Sequence, residues 1–197
     1  MIQTDKTKPT LLLASQSPRR RELLALAGLS FEVSPSQCEE DIDDAVPVAD
    51  RARVLAVRKA SDVSAGQPGA VVIGADTLVA CDDLVMGKPR DREQAIRMLQ
   101  QLSGRTHQVY TGVAFASGGR IRSFTAVTDV TFCALTQEEI LAYVDDSAAS
   151  WRDKAGGYGI QEPFGVRNIE KIRGDYYNVM GLPVSMLLRE LERFLNG

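Results

Sequence analysis

Histidine is the scarcest reactive side chain in this sequence of 197 residues: His107 is the only one. A Ser-His-Asp triad or a multi-histidine metal site is thereby excluded unless that one residue serves it. Opening an apparent strand, His107 is expected to be a surface residue at a strand end. Cysteine is nearly as sparse. Cys38, Cys81 and Cys133 are widely separated, odd in number and lack a C-x-x-C pair, which argues against zinc and against a disulfide framework and leaves reduced, structural thiols. No run approaches the roughly 18 apolar residues of a membrane span, and Met1–Thr10 is polar, without the apolar core of a signal peptide. The expectation is a cytoplasmic chain with no membrane partner. Neither G-x-x-x-x-G-K-[ST] nor a strand-placed G-x-G-x-x-G occurs, so the Walker and dinucleotide-binding readings lack their fingerprints.

Composition is otherwise ordinary, with 44% hydrophobic and 25% charged residues, which disfavours disorder and fibrous folds. The net charge of -3 leaves no broad basic surface for a long nucleic acid, although a local cluster can still hold one polyphosphate. Without repeats, low-complexity tracts or long linkers, the chain reads as one compact α/β domain over 1–197, with residues 1–9 as a flexible extension.

Against those absences stands Ser15-Gln16-Ser17-Pro18-Arg19-Arg20. An apolar strand, Leu11–Ala14, runs into a helix that Pro18 opens and Ser17 caps. Cations at a helix N-terminus oppose its dipole, so Arg19 and Arg20 should cost stability unless an anion sits among them. At 100° per residue both flank the face of Leu23, Leu24 and Ala27, while Arg21 points away. A basic surface turn is the alternative.

Ser30–Pro35 reads as a short strand and Glu39–Asp44 as a solvated acidic loop. The helix that follows, from near Pro47 through Ala60, places Lys59 on the stripe of Val48, Ala52, Leu55 and Ala56, on the buried face, from which such a lysine usually snorkels its ammonium to water. Gly69–Asp76 is a nearly continuous apolar strand closed by a carboxylate, which suits a central strand. Asp76 and Thr77 are then expected beyond its carboxyl end, where open α/β sheets gather ligands; a turn aspartate is the plainer reading. Pro89 holds Lys88 extended on a stiff loop, and Asp91 with Gln94 forms a capping box for a helix through Leu102. His107–Phe115 and Arg120–Ala134 read as a hairpin joined by Ser117-Gly118-Gly119. Thr136 and Glu139 cap a helix through about Asp145. Asp153–Gly165 is glycine-dense and reads as a shaped binding loop, and Pro183 opens a last helix with Val184, Leu187, Leu188, Leu191 and Leu195 on its apolar face.

Arginines at a helix start, lysines at 59 and 88 and carboxylates at 40 and 76 compose a site for phosphate chemistry with a divalent metal, since cations neutralise phosphate oxygens and carboxylates are hard ligands for Mg²⁺ or Mn²⁺. Four ordered segments, Leu12-Leu13-Ala14-Ser15-Gln16-Ser17-Pro18-Arg19-Arg20, Gly74-Ala75-Asp76-Thr77, Gly87-Lys88-Pro89-Arg90 and Lys154-Ala155-Gly156-Gly157-Tyr158-Gly159-Ile160-Gln161, closely resemble the Maf family of nucleoside triphosphate pyrophosphatases. The likeness runs from about Leu11 to Leu195. It implies an elongated Maf/ITPase-like fold with a mixed twisted sheet flanked by helices, a cleft between two lobes, a divalent cation, a homodimer, and hydrolysis of a nucleotide to its monophosphate and pyrophosphate. By motif, Asp76, Lys59 and Lys88 match catalytic positions, with Asp76 the catalytic carboxylate. Ser15, Arg19, Arg20, Thr77 and Gln161 match substrate-binding positions, and Glu40 with Asp76 would hold the metal.

Ala75, Thr77 and Tyr158-Gly159-Ile160-Gln161 look like the branch acting on dTTP and UTP rather than on 7-methyl-GTP; modified pyrimidine nucleotides are further candidates. An amide such as Gln161 donates and accepts at once, matching the carbonyl and N–H edge of thymine and uracil. Gly157 replaces a common Ala, and Glu162 stands where the family often has Gly. The family is also associated with septum arrest, so a nucleotide-binding regulator of cell division is the competing reading.

Overall fold

The computed structural model describes residues 9–43, 45–82 and 84–197. The expected extension over residues 1–9 falls on 1–8, outside the described residues, as does Asp44 of the acidic run. In chain order the elements are β1 (Leu11–Leu13), α1 (Pro18–Leu26), β2 (Glu32–Val33), α2 (Val48–Ala65), β3 (Val71–Cys81), β4 (Leu84–Met86), α3 (Arg92–Leu102), β5 (Thr106–Ser117), β6 (Arg120–Phe132) and α4 (Gln137–Asp145). Two 3-10 turns (Trp151–Asp153 and Ala155–Gly157) precede α5 (Pro163–Asn168), β7 (Ile169–Arg173), α6 (Tyr176–Met180) and α7 (Val184–Asn196).

The strands form one mixed seven-stranded sheet in the order β2-β1-β3-β5-β6-β7, with β4 paired to β3. β1 runs parallel to β2 and β3, whereas β4 and β7 lie antiparallel to β3 and β6. Gly118 and Gly119, with φ of 55° and 82°, close the β5–β6 hairpin in the left-handed conformation such tight turns need. Thr136 and Glu139 complete a reciprocal capping box on α4. Asp91 accepts the Gln94 amide of α3 at 2.7 Å, but the Gln94 side chain reaches the Arg90 N–H instead of closing the box.

Several expectations are corrected. β3 continues five residues past Asp76, through Cys81, because Leu78–Cys81 is itself apolar and buried; the carboxylate therefore stands in the interior of the strand, not at its end. His107 is fully buried rather than on the surface, since a second aromatic layer covers it. On α7 the buried face ends on Phe194, and Leu195 is exposed. α2 runs one turn beyond Ala60, and Gly165 enters a short helix opened by Pro163.

The chain divides into two compact units, Met1–Asp76 with Gly112–Thr125 and Val184–Gly197, and Thr77–Thr111 with Ala126–Pro183. The first has a core of small residues, among them Leu12, Ala56, Ala60, Val72 and Ala114. The second is aromatic, with Phe132, Tyr143, Trp151, Tyr158 and Phe164. Among the described helices none is long and apolar enough to cross a membrane.

Candidate active site

In the first unit the site is built by a close approach of helix to strand. Ala52, Ala56 and Ala60 recur every fourth residue of α2 and are fully buried, so they form one small-residue stripe. Two glycines lie beneath it. A Cβ on Gly74 would fall 2.2 Å from the Ala56 carbonyl oxygen, and one on Gly112 would fall 2.2 Å from that of Ala52. With no side chain between them, α2 lies directly on β3 at Gly74 and on β5 at Gly112. Lys59, one position before Ala60, is thereby lowered onto the strand two residues beyond Gly74, and alternate strand residues share a face.

Lys59 Nζ donates to Asp76 Oδ1 at 2.7 Å and pairs with Glu40 Oε1 at 2.7 Å. The ammonium does not snorkel to water: Lys59 is buried between these two carboxylates. Burial acts against its ammonium, but Asp76 and Glu40 outweigh that and raise the Lys59 pKa. Glu40 reaches Lys59 from the acidic loop, which α2 also grips on either side. Asp62 accepts the Ser36 hydroxyl at 2.7 Å and the Gln37 amide at 2.9 Å, and Arg58 donates to the Asp41 carbonyl at 2.6 Å. Neither Asp62 nor Arg58 was legible as part of a site; the only hint is that they flank Lys59 within one turn of α2.

The start of α1 completes this group. Helix α1 begins at Pro18 with Ser17 as N-cap, has no acidic residue in its first turn, and makes no side-chain cap bond. Ser15 Oγ instead accepts the Ser17 amide at 3.2 Å. Arg20 is buried, and its Nη1 donates to Ser15 Oγ at 3.2 Å and to the Ala75 carbonyl at 2.8 Å, beside Asp76. Burial pulls the Arg20 pKa below the ordinary guanidinium value, Asp76 and Glu40 oppose this, and the like charge of Arg19 adds to it. Arg19 is half-buried and Arg21 exposed. The first unit therefore brings Ser15, Arg19, Arg20, Glu40, Lys59 and Asp76 together, with both signs of charge within hydrogen-bond reach of one another.

Thr77, Lys88 and Gln161 belong to the second unit. Thr77 Oγ1 lies 3.0 Å from Thr111 Oγ1, and Thr111 donates to the Asn178 carbonyl at 3.3 Å. Lys88 is exposed between Gly87 and the buried Pro89. The Gly87 carbonyl accepts the Gly156 amide at 3.1 Å, so the Gly87-Lys88-Pro89 loop and the glycine-rich segment are joined. Gln161 is exposed at the corner of a turn in which the Glu162 amide donates to the Gly159 carbonyl at 3.2 Å. Beneath that segment Tyr158 is buried with its hydroxyl 2.7 Å from His107 Nε2, and His107 Nδ1 has no hydrogen-bond partner among the described residues.

Among the described residues no three His, Cys, Asp or Glu side chains gather into a metal cluster. What exists is a pair of carboxylates converging on one ammonium. All-oxygen donors, few in number and leaving room for water and phosphate oxygens, suit Mg²⁺ or Mn²⁺ better than softer metals.

Fold and site together define an α/β protein with clustered cations and carboxylates and no nucleotide-binding glycine fingerprint. A model of the Maf-like protein family matches residues 10–194, and the chain belongs to that family. Proteins named dTTP/UTP pyrophosphatase are similar to it along most of their length: that of Bacillus pumilus (strain SAFR-032) is 49% identical, covering 93% of this chain and 96% of its own. That of Bacillus cytotoxicus (strain DSM 22905 / CIP 110041 / 391-98 / NVH 391-98) is 48% identical, covering 94% and 96%. Among solved structures the Staphylococcus aureus Ham1 protein aligns with 62% of this chain and 71% of its own at 12% identity and a TM-score of 0.42.

Proposed function

We propose that this chain is a nucleoside triphosphate pyrophosphatase that hydrolyses dTTP and UTP to the monophosphate and pyrophosphate. The observation that carries the reading is the Glu40-Lys59-Asp76 cluster beside the buried Arg20, in a chain about half identical to proteins of that name. Asp76, held by Lys59, is the base that orients a water and takes its proton as the oxygen attacks the α-phosphorus in line. Pyrophosphate is the leaving group. Arg19, Arg20, Lys59 and Lys88 offset charge on the triphosphate oxygens, a contribution of a few kcal/mol for each well-placed donor. Ser15 and Thr77 complete the substrate contacts, and Gln161 reads the pyrimidine edge. Glu40 and Asp76 would hold a divalent cation, which supplies charge neutralisation at the phosphates when bound. The resemblance also supports a homodimer, to be checked by light scattering.

The test is product analysis over dTTP, UTP, CTP, GTP, 7-methyl-GTP, 5-methyl-UTP and pseudo-UTP with Mg²⁺ or Mn²⁺. Pyrophosphate release highest on the thymine and uracil nucleotides is expected. Orthophosphate release would identify a phosphomonoesterase, and binding without turnover a regulator. Asp76→Asn is expected to reduce release by roughly a thousandfold while keeping nucleotide binding; wild-type turnover in that variant would remove Asp76 from its role.

A further inference from the structure

The second unit contains an ion cluster that the proposed chemistry leaves unused. Lys154 Nζ donates to the Ser150 carbonyl at 2.9 Å and pairs with Asp153 Oδ1 at 2.8 Å and Glu162 Oε1 at 2.6 Å, with Ser150 Oγ also in contact. Glu162 is held from its other side by the Tyr143 hydroxyl, which donates to Oε2 at 3.0 Å, and Ser150 Oγ donates to Oε1. Both Lys154 and the Glu162 carboxylate are thus fully engaged.

This cluster forms the base of the turn that carries Gln161. The turn runs from Gly159 to Glu162, closed by the Glu162 amide on the Gly159 carbonyl, with Ile160 buried and Gln161 exposed at its two central positions. Its first residue is packed onto the ion pair: a Cβ on Gly159 would meet Lys154 Cε at 2.7 Å and Glu162 Cδ at 2.9 Å. Its last residue supplies one partner of the pair. A Cβ on Gly165 would fall 2.2 Å from the Gly159 carbonyl oxygen, so the following helix closes on the turn as well. Gln161 is consequently one rigid peptide unit from a residue whose carboxylate is held at both oxygens.

We infer that the Lys154–Glu162 ion pair is a positioning device that fixes the aim of Gln161 and so sets the choice among bases. This rests on the reading of Gln161 as the residue that recognises the pyrimidine edge. Glu162 and Lys154 touch no substrate; they act through the turn between them.

The experiment measures kcat and KM of pyrophosphate release on UTP and CTP for Glu162→Gln, Tyr143→Phe, Gln161→Ala and the double variant Glu162→Gln/Gln161→Ala. Glu162→Gln keeps the size of the side chain and removes the charge that Lys154 holds. It is expected to lower the UTP-over-CTP ratio of kcat/KM at least fivefold, mainly through KM for UTP. Tyr143→Phe, which removes one hydrogen bond to Glu162, is expected to lower the ratio about twofold, and it decides the matter if Glu162→Gln does not fold. In the Gln161→Ala background Glu162→Gln is expected to add no further loss. A ratio retained in Glu162→Gln and Tyr143→Phe while Gln161→Ala collapses it overturns the positioning role and leaves base reading by Gln161 intact. A ratio unmoved by Gln161→Ala overturns base reading itself.

Discussion

Each compact unit buries one lysine between two carboxylates, and the surroundings make different objects of them. Lys59 sits between Asp76, whose side chain is 15% exposed, and Glu40, 65% exposed. Lys154 sits between Asp153 and Glu162, and both Ser150 and Tyr143 close over the pair. Burial alone would raise the Glu162 pKa, but Lys154, Ser150 and Tyr143 outweigh it and hold the carboxyl below its ordinary value. In the second cluster the Lys154–Glu162 pair is saturated, its polar atoms answered by Ser150 and Tyr143, and only the outlying Asp153 is half-exposed. The first ends in an exposed carboxylate and a guanidinium braced on the next peptide, so its charges remain addressable by a ligand. Saturation separates a buried ion pair that holds a loop from one that can do chemistry.

The contrast breaks if the two lysines behave alike. Lys59→Met is expected to cut turnover by about a thousandfold, some 4 kcal/mol of transition-state stabilisation, while thermal stability shifts less, because the Arg20 charge still opposes that of Asp76 and Glu40 is exposed. Lys154→Met should do the reverse. It leaves the partly buried Glu162 carboxylate with no cation and only the Ser150 and Tyr143 hydroxyls, an effect of about 3 kcal/mol, read as a fall in Tm of roughly 10 °C. Equal stability losses in the two variants would erase the distinction drawn here.

A smaller effect sharpens the character of the aromatic unit. Burial draws the His107 pKa down to about 4, against a weak opposing pull from Asp129. The unfolded chain therefore takes up a proton on this side chain at higher pH than the folded one. Stability is full above about 6.5 and falls as pH drops from there toward 4, by about 1.4 kcal/mol per pH unit. Chemical denaturation at pH 7 and 5 measures it, and His107→Phe should flatten that part of the profile. The smallest change is expected in the loop carrying Glu40. Asp62→Ala releases Ser36 and Gln37, and the Mn²⁺ concentration for half-saturation should rise severalfold in a direct titration, with Tm unaltered.

Much of this was legible from local pattern. Pro18 announced the start of α1, the spacing of Ala52, Ala56 and Lys59 announced that the lysine lies on the inner face of α2, and Thr136 with Glu139 announced α4. What escaped depends on chain segments far apart. Nothing near Gly74 or Gly112 says that a helix backbone touches them. Asp76 looked like a strand terminator because carboxylates are rare inside strands, and only the pairing of β3 with β4 through Val79–Cys81 explains why the strand runs on. His107 looked superficial because its cover, Phe132 and Tyr158, comes from sequence 25 residues or more away. β4, β7 and α6 are three to five residues long, too short to display a period.

The placement of Asp76 inside β3 also limits how this chain can evolve. Had the carboxylate hung from a connecting loop, insertions and deletions nearby could be absorbed by slack. In an uninterrupted pleat, gaining or losing one residue between Val71 and Asp76 turns the acid away from Lys59 and puts a side chain where Gly74 admits the helix. Gaps are thus forbidden in that segment, and descendants can vary it only by exchanging one side chain for another of matching size.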